Sequence, residues 1–302
     1  MGDVGGLRRW AIGLLLLAAL CLPAGCGNAS SSDSTRAEGP AGPAEFDERA
    51  AYELVRRQVE AGQRPAGSPQ LRKLADELVK LMPRGRFEPI PGEPSLRNVV
   101  GSVPGEKPAI VVGAHYDTLV KPKGFVGANN GAAGSAVVIE AARALAAAPS
   151  GGREIKFVLF DGEEPPGAIP KSAAAFYRLG LRGSRAYVAA HPGETEAMVL
   201  LDYVGHKGLH LSREEASTPA LWSQLVEAAG KVGASSYFDE ESTAGILDDH
   251  APFLRSGVPA IDLIDWRYHG HSLTDTLDKI SPRSLEAVGG TVVQLATELR
   301  AE

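Results

Sequence analysis

Glu163 and Glu164 stand side by side just after the apolar run Phe157-Val158-Leu159-Phe160, with Asp161 and Gly162 between. Adjacent carboxylates repel unless a proton or a cation neutralises them. In such a pair one group can hold a metal while its neighbour moves a proton. Three other polar sets follow apolar runs in the same way. His115-Tyr116-Asp117 closes the run that contains Ile110-Val111-Val112. Residues two apart on an extended chain point the same way, so His115 can ligate a metal while Asp117 orients its surroundings. Asp202 follows Val199-Leu200-Leu201, and His269-Gly270-His271 follows the run that ends at Ile264. Singly, each set has an ordinary explanation: a solvated acidic loop, a turn aspartate, a histidine pair in a loop. Together they collect His, Glu, Asp and His, a zinc-type ligand set.

Such residues need a frame that brings distant segments together. Apolar residues at three- and four-residue spacing, such as Leu71, Leu74, Leu78 and Leu81, predict amphipathic helices over 47–61 and 70–82, with Pro83 ending the second. Residues 109–114 are almost continuously apolar, as in a strand buried on both faces. Further strands are expected over 98–103, 155–160, 197–204 and 258–264. Helices are expected over 132–148, 218–230 and 282–298, the last with Ser281 as N-cap and Pro282 in its first turn. Strands alternating with helices imply an α/β fold whose central, mostly parallel sheet carries helices on both faces. Ligands of such sheets bind beyond the carboxyl ends of the strands, which is where all four polar sets fall.

The 302-residue chain is 44% hydrophobic and 23% charged, as expected of a globular protein. Its net charge is -6, and the absence of a Lys/Arg block argues against a nucleic-acid partner. Arg8 and Arg9 precede an apolar run over 11–22. That run is shorter than the ~20 residues of a membrane-spanning helix and reads as an export signal. Leu22-Pro23-Ala24-Gly25-Cys26-Gly27 is similar to a bacterial lipoprotein processing site. Residues 1–26 are therefore expected to be a signal peptide of lipoprotein type. The product would be exported, with a membrane reached only through a lipid anchor at Cys26, or else secreted or periplasmic. Residues 27–45, rich in Ser, Gly, Pro and Ala, read as a flexible linker, and 46–302 as one catalytic domain. Both cysteines, Cys21 and Cys26, lie in the leader, which leaves the domain without a thiol nucleophile or an internal disulfide.

Several motifs recur in one order along the domain: His115-Tyr116-Asp117, Phe125-Val126-Gly127-Ala128, Phe160-Asp161-Gly162-Glu163-Glu164, Leu181-Arg182-Gly183-Ser184-Arg185, Leu200-Leu201-Asp202, Asp248-Asp249-His250-Ala251-Pro252-Phe253-Leu254, Gly257-Val258-Pro259, and His271 separated by three residues from Asp275-Thr276. In these the chain resembles the zinc aminopeptidase family (metallopeptidase family twenty-eight), including its glutaminyl cyclase-like branch. The resemblance implies a zinc-exopeptidase-like fold. It implies His115 and Asp202 as ligands of one zinc, and Glu164 and His271 as ligands of another. It further implies Glu163 as the general base, Asp117 as the acid beside His115, and Asp248 as a carboxylate of the substrate pocket. His271 is preferred to His269 because it alone has the spacing to Asp275-Thr276.

Two departures stand out. The family's bridging aspartate is replaced by Asn130, in Gly127-Ala128-Asn129-Asn130-Gly131. With a neutral amide there, the ligand positions carry formal negatives only at Glu164 and Asp202, so one Zn²⁺ is expected and two are possible. The tryptophan that the cyclases place just before the last histidine is Gly270 here, while Trp266 lies close by in sequence. The leading expectation is a zinc aminopeptidase hydrolysing N-terminal residues from peptides. A glutaminyl-peptide cyclotransferase and a metal-impaired, non-catalytic homologue are the alternatives.

Overall fold

The computed structural model describes residues 45–148 and 151–302; the leader and most of the linker lie outside the described residues. Asp47 accepts from the backbone N–H groups of Arg49 and Ala50 and so caps α1 (Glu48–Glu60). Ser68 caps α2 (Pro69–Leu81) in the same way. Two strands follow, β1 (Arg86–Ile90) and β2 (Glu93–Val103), and then β3 (Glu106–His115). A wide helical turn, Ala128–Ala133, leads into α3 (Gly134–Ala147). Next come β4 (Arg153–Phe160), α4 (Ala173–Leu179), α5 (Arg182–Ala190) and β5 (Thr195–Asp202). The chain continues through β6 (Leu211–Glu214), α6 (Pro219–Lys231), β7 (Phe238–Thr243), α7 (Ala251–Arg255) and β8 (Ala260–Ile264). It closes with α8 (Pro282–Ala301), capped by the Ser281 hydroxyl.

Six strands form the central sheet in the order β1-β2-β4-β3-β5-β8. β4, β3, β5 and β8 run parallel, while β1 and β2 are antiparallel to their neighbours. The parallel part is continuously apolar because both of its faces are covered. Ile110 and Val112 pack with α1, α3 and α8 on one side, whereas Val111 packs with Tyr187 of α5 and Phe253 of α7 on the other. β6 and β7 make a separate two-stranded sheet.

The expected α/β sheet is present, with differences that have physical reasons. β1 carries Pro89 and alternates charged with apolar residues, a pattern suited to a sheet edge and hard to separate from a loop. β6 and β7 are rich in acidic and hydroxyl residues and lack apolar alternation. The helix expected over 132–148 is present: Asn130 (φ -80°, ψ 102°) and Gly131 (φ 86°) break the helical path just before it, and the chain runs helically from Ala132 into α3. The membrane question concerns the leader alone in the sequence reading; among the described residues no helix is long and apolar enough to cross a membrane.

Candidate active site

The carboxyl ends of the parallel strands open on one edge of the sheet. His115 is the last residue of β3, Asp202 is the last of β5, and Glu163 and Glu164 lie just beyond β4. Trp266 lies just beyond β8. A cavity of about 570 Å³ opens there, lined by Asn130, Glu163, Glu164, Asp202, Asp248, Trp266 and His271 among others. His115 and Asp117 are buried behind it. All nine residues singled out from the sequence thus fall at one site. His269 also lines the cavity.

Asp117 joins two strand ends. Its carboxylate accepts the backbone N–H groups of Glu163 and Glu164, each at 3.2 Å, and lies 3.5 Å from His115 Nδ1. The other ring nitrogen of His115 is 3.6 Å from Asp202 Oδ1. Glu164 Oε1 is 3.9 Å from His271 Nε2 and accepts from Asn130 Nδ2 at 3.0 Å. Asn130 Nδ2 also lies 3.3 Å from the Tyr203 hydroxyl, while Asn130 Oδ1 is buried without a partner. Gly131 next to it has a structural reason. At φ 86° a Cβ would meet the Asp117 carbonyl oxygen at 2.7 Å and His115 Cε1 at 3.1 Å.

Three residues that the sequence reading gave no role hold this arrangement. Asp275 accepts from the backbone N–H groups of Asn129 at 2.8 Å and Asn130 at 3.0 Å, and from the Tyr268 hydroxyl at 2.8 Å. Its position four residues after His271 was the available signal. Arg64 is fully buried and donates to the carbonyls of Tyr116, Val126 and Gly127. An arginine in a polar stretch gives no such signal, because arginines are ordinarily exposed. Tyr203 stacks on Trp266 (centroids 5.8 Å apart, planes at 18°) and meets His271 edge-on at 6.0 Å.

The site is short of positive charge. Burial pushes Glu163 well above the ordinary carboxylate range, and the neighbouring Glu164 adds to the shift. Burial raises Glu164 to about 8. Asp248 is pushed up to about 6 by burial and by the charge of Asp202. Burial alone would lower His115, but Asp117 and Asp202 outweigh it and hold the imidazole well above its usual value. Burial lowers His271, and the charge of Asp202 offsets this only in part. Buried carboxylates shifted in this way favour a proton or a cation beside them.

The donor types at this site, His, Glu and Asp, are those that bind zinc. Among the described residues no three His, Cys, Asp or Glu side chains converge as a metal site. The donors stand instead as two pairs, His115 with Asp202 at 3.6 Å and Glu164 with His271 at 3.9 Å. Ligands ~2.0–2.2 Å from a tetrahedral zinc stand roughly 3.3–3.6 Å apart, so each pair is near the required spacing. Asn130 Oδ1, buried and unpartnered beside the second pair, offers a neutral third donor there.

Residues 98–296 match the profile of peptidase family M28. The chain belongs to this family. Aminopeptidase YwaD of Bacillus subtilis is 30% identical over 210 residues, a match that covers 63% of this chain and 40% of the relative. Among solved structures, a glutaminyl cyclase from an Acidobacteriales bacterium aligns with a TM-score of 0.75 and 32% identity. That alignment covers 88% of this chain and 99% of the neighbour. A protein described as a leucine aminopeptidase precursor from Bacteroides thetaiotaomicron aligns at 0.71 with 26% identity, over 83% of this chain and 97% of the other. The fold is accordingly that of zinc exopeptidases and glutaminyl cyclases, and the family supports an enzyme of metallopeptidase or cyclase type.

Proposed function

We propose that the protein is a glutaminyl-peptide cyclotransferase, converting an N-terminal glutaminyl residue into pyroglutamate with release of ammonia. The observation that carries this is the aromatic wall beside His271. A Cβ on Gly270 would lie 2.9 Å from the Tyr203 ring and 3.0 Å from Tyr268, so the space beside Gly270 is already filled by aromatic rings. Trp266, half exposed and stacked on Tyr203, stands edge-on to His271 at 5.9 Å. A flat amide side chain can lie against this wall. Gly270 stands where the cyclases place a tryptophan, and Trp266 flanks His271 from another position.

In this reading, Glu164 and His271 with Asn130 would hold a zinc ion, which would supply Lewis-acid polarisation of a carbonyl. Asp248 faces the substrate's α-ammonium, which first releases one proton to solvent to give the free amine. Glu163 takes a second proton from that amine as its nitrogen bonds to the amide carbon. As the carbon–nitrogen bond of the amide breaks, Glu163 returns the proton to the departing ammonia. Burial and the neighbouring Glu164 raise its pKa, which strengthens it as a proton acceptor. Asp117 holds the backbone of Glu163 and Glu164 in place throughout.

Hydrolysis of N-terminal residues by an aminopeptidase-type reaction is the second reading, favoured by the separate His115–Asp202 donor pair. Supplying zinc, a glutaminyl peptide and a leucyl peptide distinguishes the two. Cyclisation yields pyroglutamate and ammonia and leaves the leucyl peptide intact. Release of free leucine instead overturns the cyclase assignment.

A further inference from the structure

His250 is fully buried between two carboxylates that the chemistry above does not use. Its Nε2 lies 3.3 Å from Glu214 Oε1 and its Nδ1 lies 3.7 Å from Asp262 Oδ2, and all three side chains have 0% exposure. Glu214 Oε1, both ring nitrogens and both Asp262 oxygens have no hydrogen-bond partner of good geometry. Buried polar atoms left this loosely paired call for an explanation, and replacing them with apolar groups often stabilises a protein.

The three groups come from separate elements: the end of β6, the N-cap of α7 and the middle of β8. The other oxygen of Glu214 accepts the backbone N–H groups of Ala216 at 2.9 Å and Ile246 at 3.2 Å. Glu214 therefore holds the segment after β7 twice, at the Ile246 backbone and at the His250 ring. Asp248 lies between those two points, is buried, and lines the cavity. Its Oδ1 accepts the Asp249 backbone N–H at 2.6 Å, which fixes the carboxylate's direction. Residues 240–245, which precede this wall, are exposed, while the neighbouring Asp249 accepts from the Ser184 hydroxyl of α5.

We propose that Glu214, His250 and Asp262 form a brace that aims Asp248 at the substrate's N-terminal ammonium, with His250 the central positioning residue. The inference rests on the site taking a peptide N-terminus. It does not require cyclisation, because an aminopeptidase recognises the same amine.

The test uses the full-length protein loaded with zinc, in a Glu163→Gln background so that the probe is not consumed. The probes are glutaminyl-phenylalanine and its counterpart lacking the α-amine, with affinities measured by calorimetry. His250→Leu should weaken the amine-bearing probe about tenfold to a hundredfold and change the other by less than about twofold. Equal weakening of both probes, or none, overturns the brace. So does a wild-type-brace protein that does not prefer the amine. If His250→Leu does not fold by circular dichroism, His250→Gln, which can still donate to one carboxylate, replaces it and should give a smaller but still amine-selective loss. Ammonia release by the Glu163-intact protein is measured separately, so failure of the cyclase reading and failure of the brace are read from different assays.

Discussion

At the scale of single residues, Glu163 and Asn130 bear most on the account. Glu163→Gln keeps the shape of the site but cannot carry the proton, and should lower turnover by about 10²–10⁴-fold while leaving zinc content unchanged. Mass spectrometry of metal content beside a kinetic assay checks this; an active variant would remove Glu163 from the mechanism. Asn130 now donates to Glu164 and leaves its own oxygen unpaired. Asn130→Asp adds the carboxylate that the ligand positions lack. It should raise zinc affinity and move stoichiometry toward two, as read by calorimetry. Equal zinc binding in both proteins would show that this position does not govern the metal.

At the scale of elements, the site depends on tight approaches between strand ends and the turn before α3. Gly131→Ala forces a Cβ against the Asp117 carbonyl at positive φ and should cost about 1–3 kcal/mol. Thermal unfolding measures it, and an unchanged midpoint would mean that the turn yields easily. What was legible in the sequence follows from the same layout. The parallel strands read clearly because burial on both faces makes them continuously apolar. The ligand-type residues read clearly because each directly follows a strand or its loop. Arg64 and Tyr203 were not legible, since their roles arise from contacts with backbone and rings far away in sequence. The helix from Ala132 reads from its apolar composition, whereas the kink just before it, at Asn130 and Gly131, is set by contacts that the sequence does not display. The surroundings of Gly270 are not legible either, since Tyr203, Tyr268 and Trp266 converge there only in three dimensions.

For the whole molecule, the buried acidic groups link stability to pH and to metal. Glu164 is raised to about 8, Asp161 to about 7 and Asp248 to about 6, each chiefly by burial. A carboxyl whose folded pKa is raised binds more protons folded than unfolded, so stability falls as pH rises from the unfolded value through the folded one. Metal-free protein should therefore lose stability between about pH 4 and pH 8. Zinc replaces those protons, so added zinc should raise the unfolding midpoint more at pH 7.5 than at pH 5.5, with proton release on binding. A metal-free midpoint that stays level or rises across that range would contradict the charge balance described for the site.

On the proposed function, this M28-family site closes a ring on the substrate instead of splitting it with water. The most direct measurement is mass spectrometry of a glutaminyl peptide incubated with the zinc-loaded protein in water enriched in oxygen-18. Cyclisation predicts a product lighter by one ammonia, free of the heavy oxygen, with ammonia formed in equal amount. A shortened peptide, with heavy oxygen in the released glutamine, would contradict the claim and establish the hydrolytic reading.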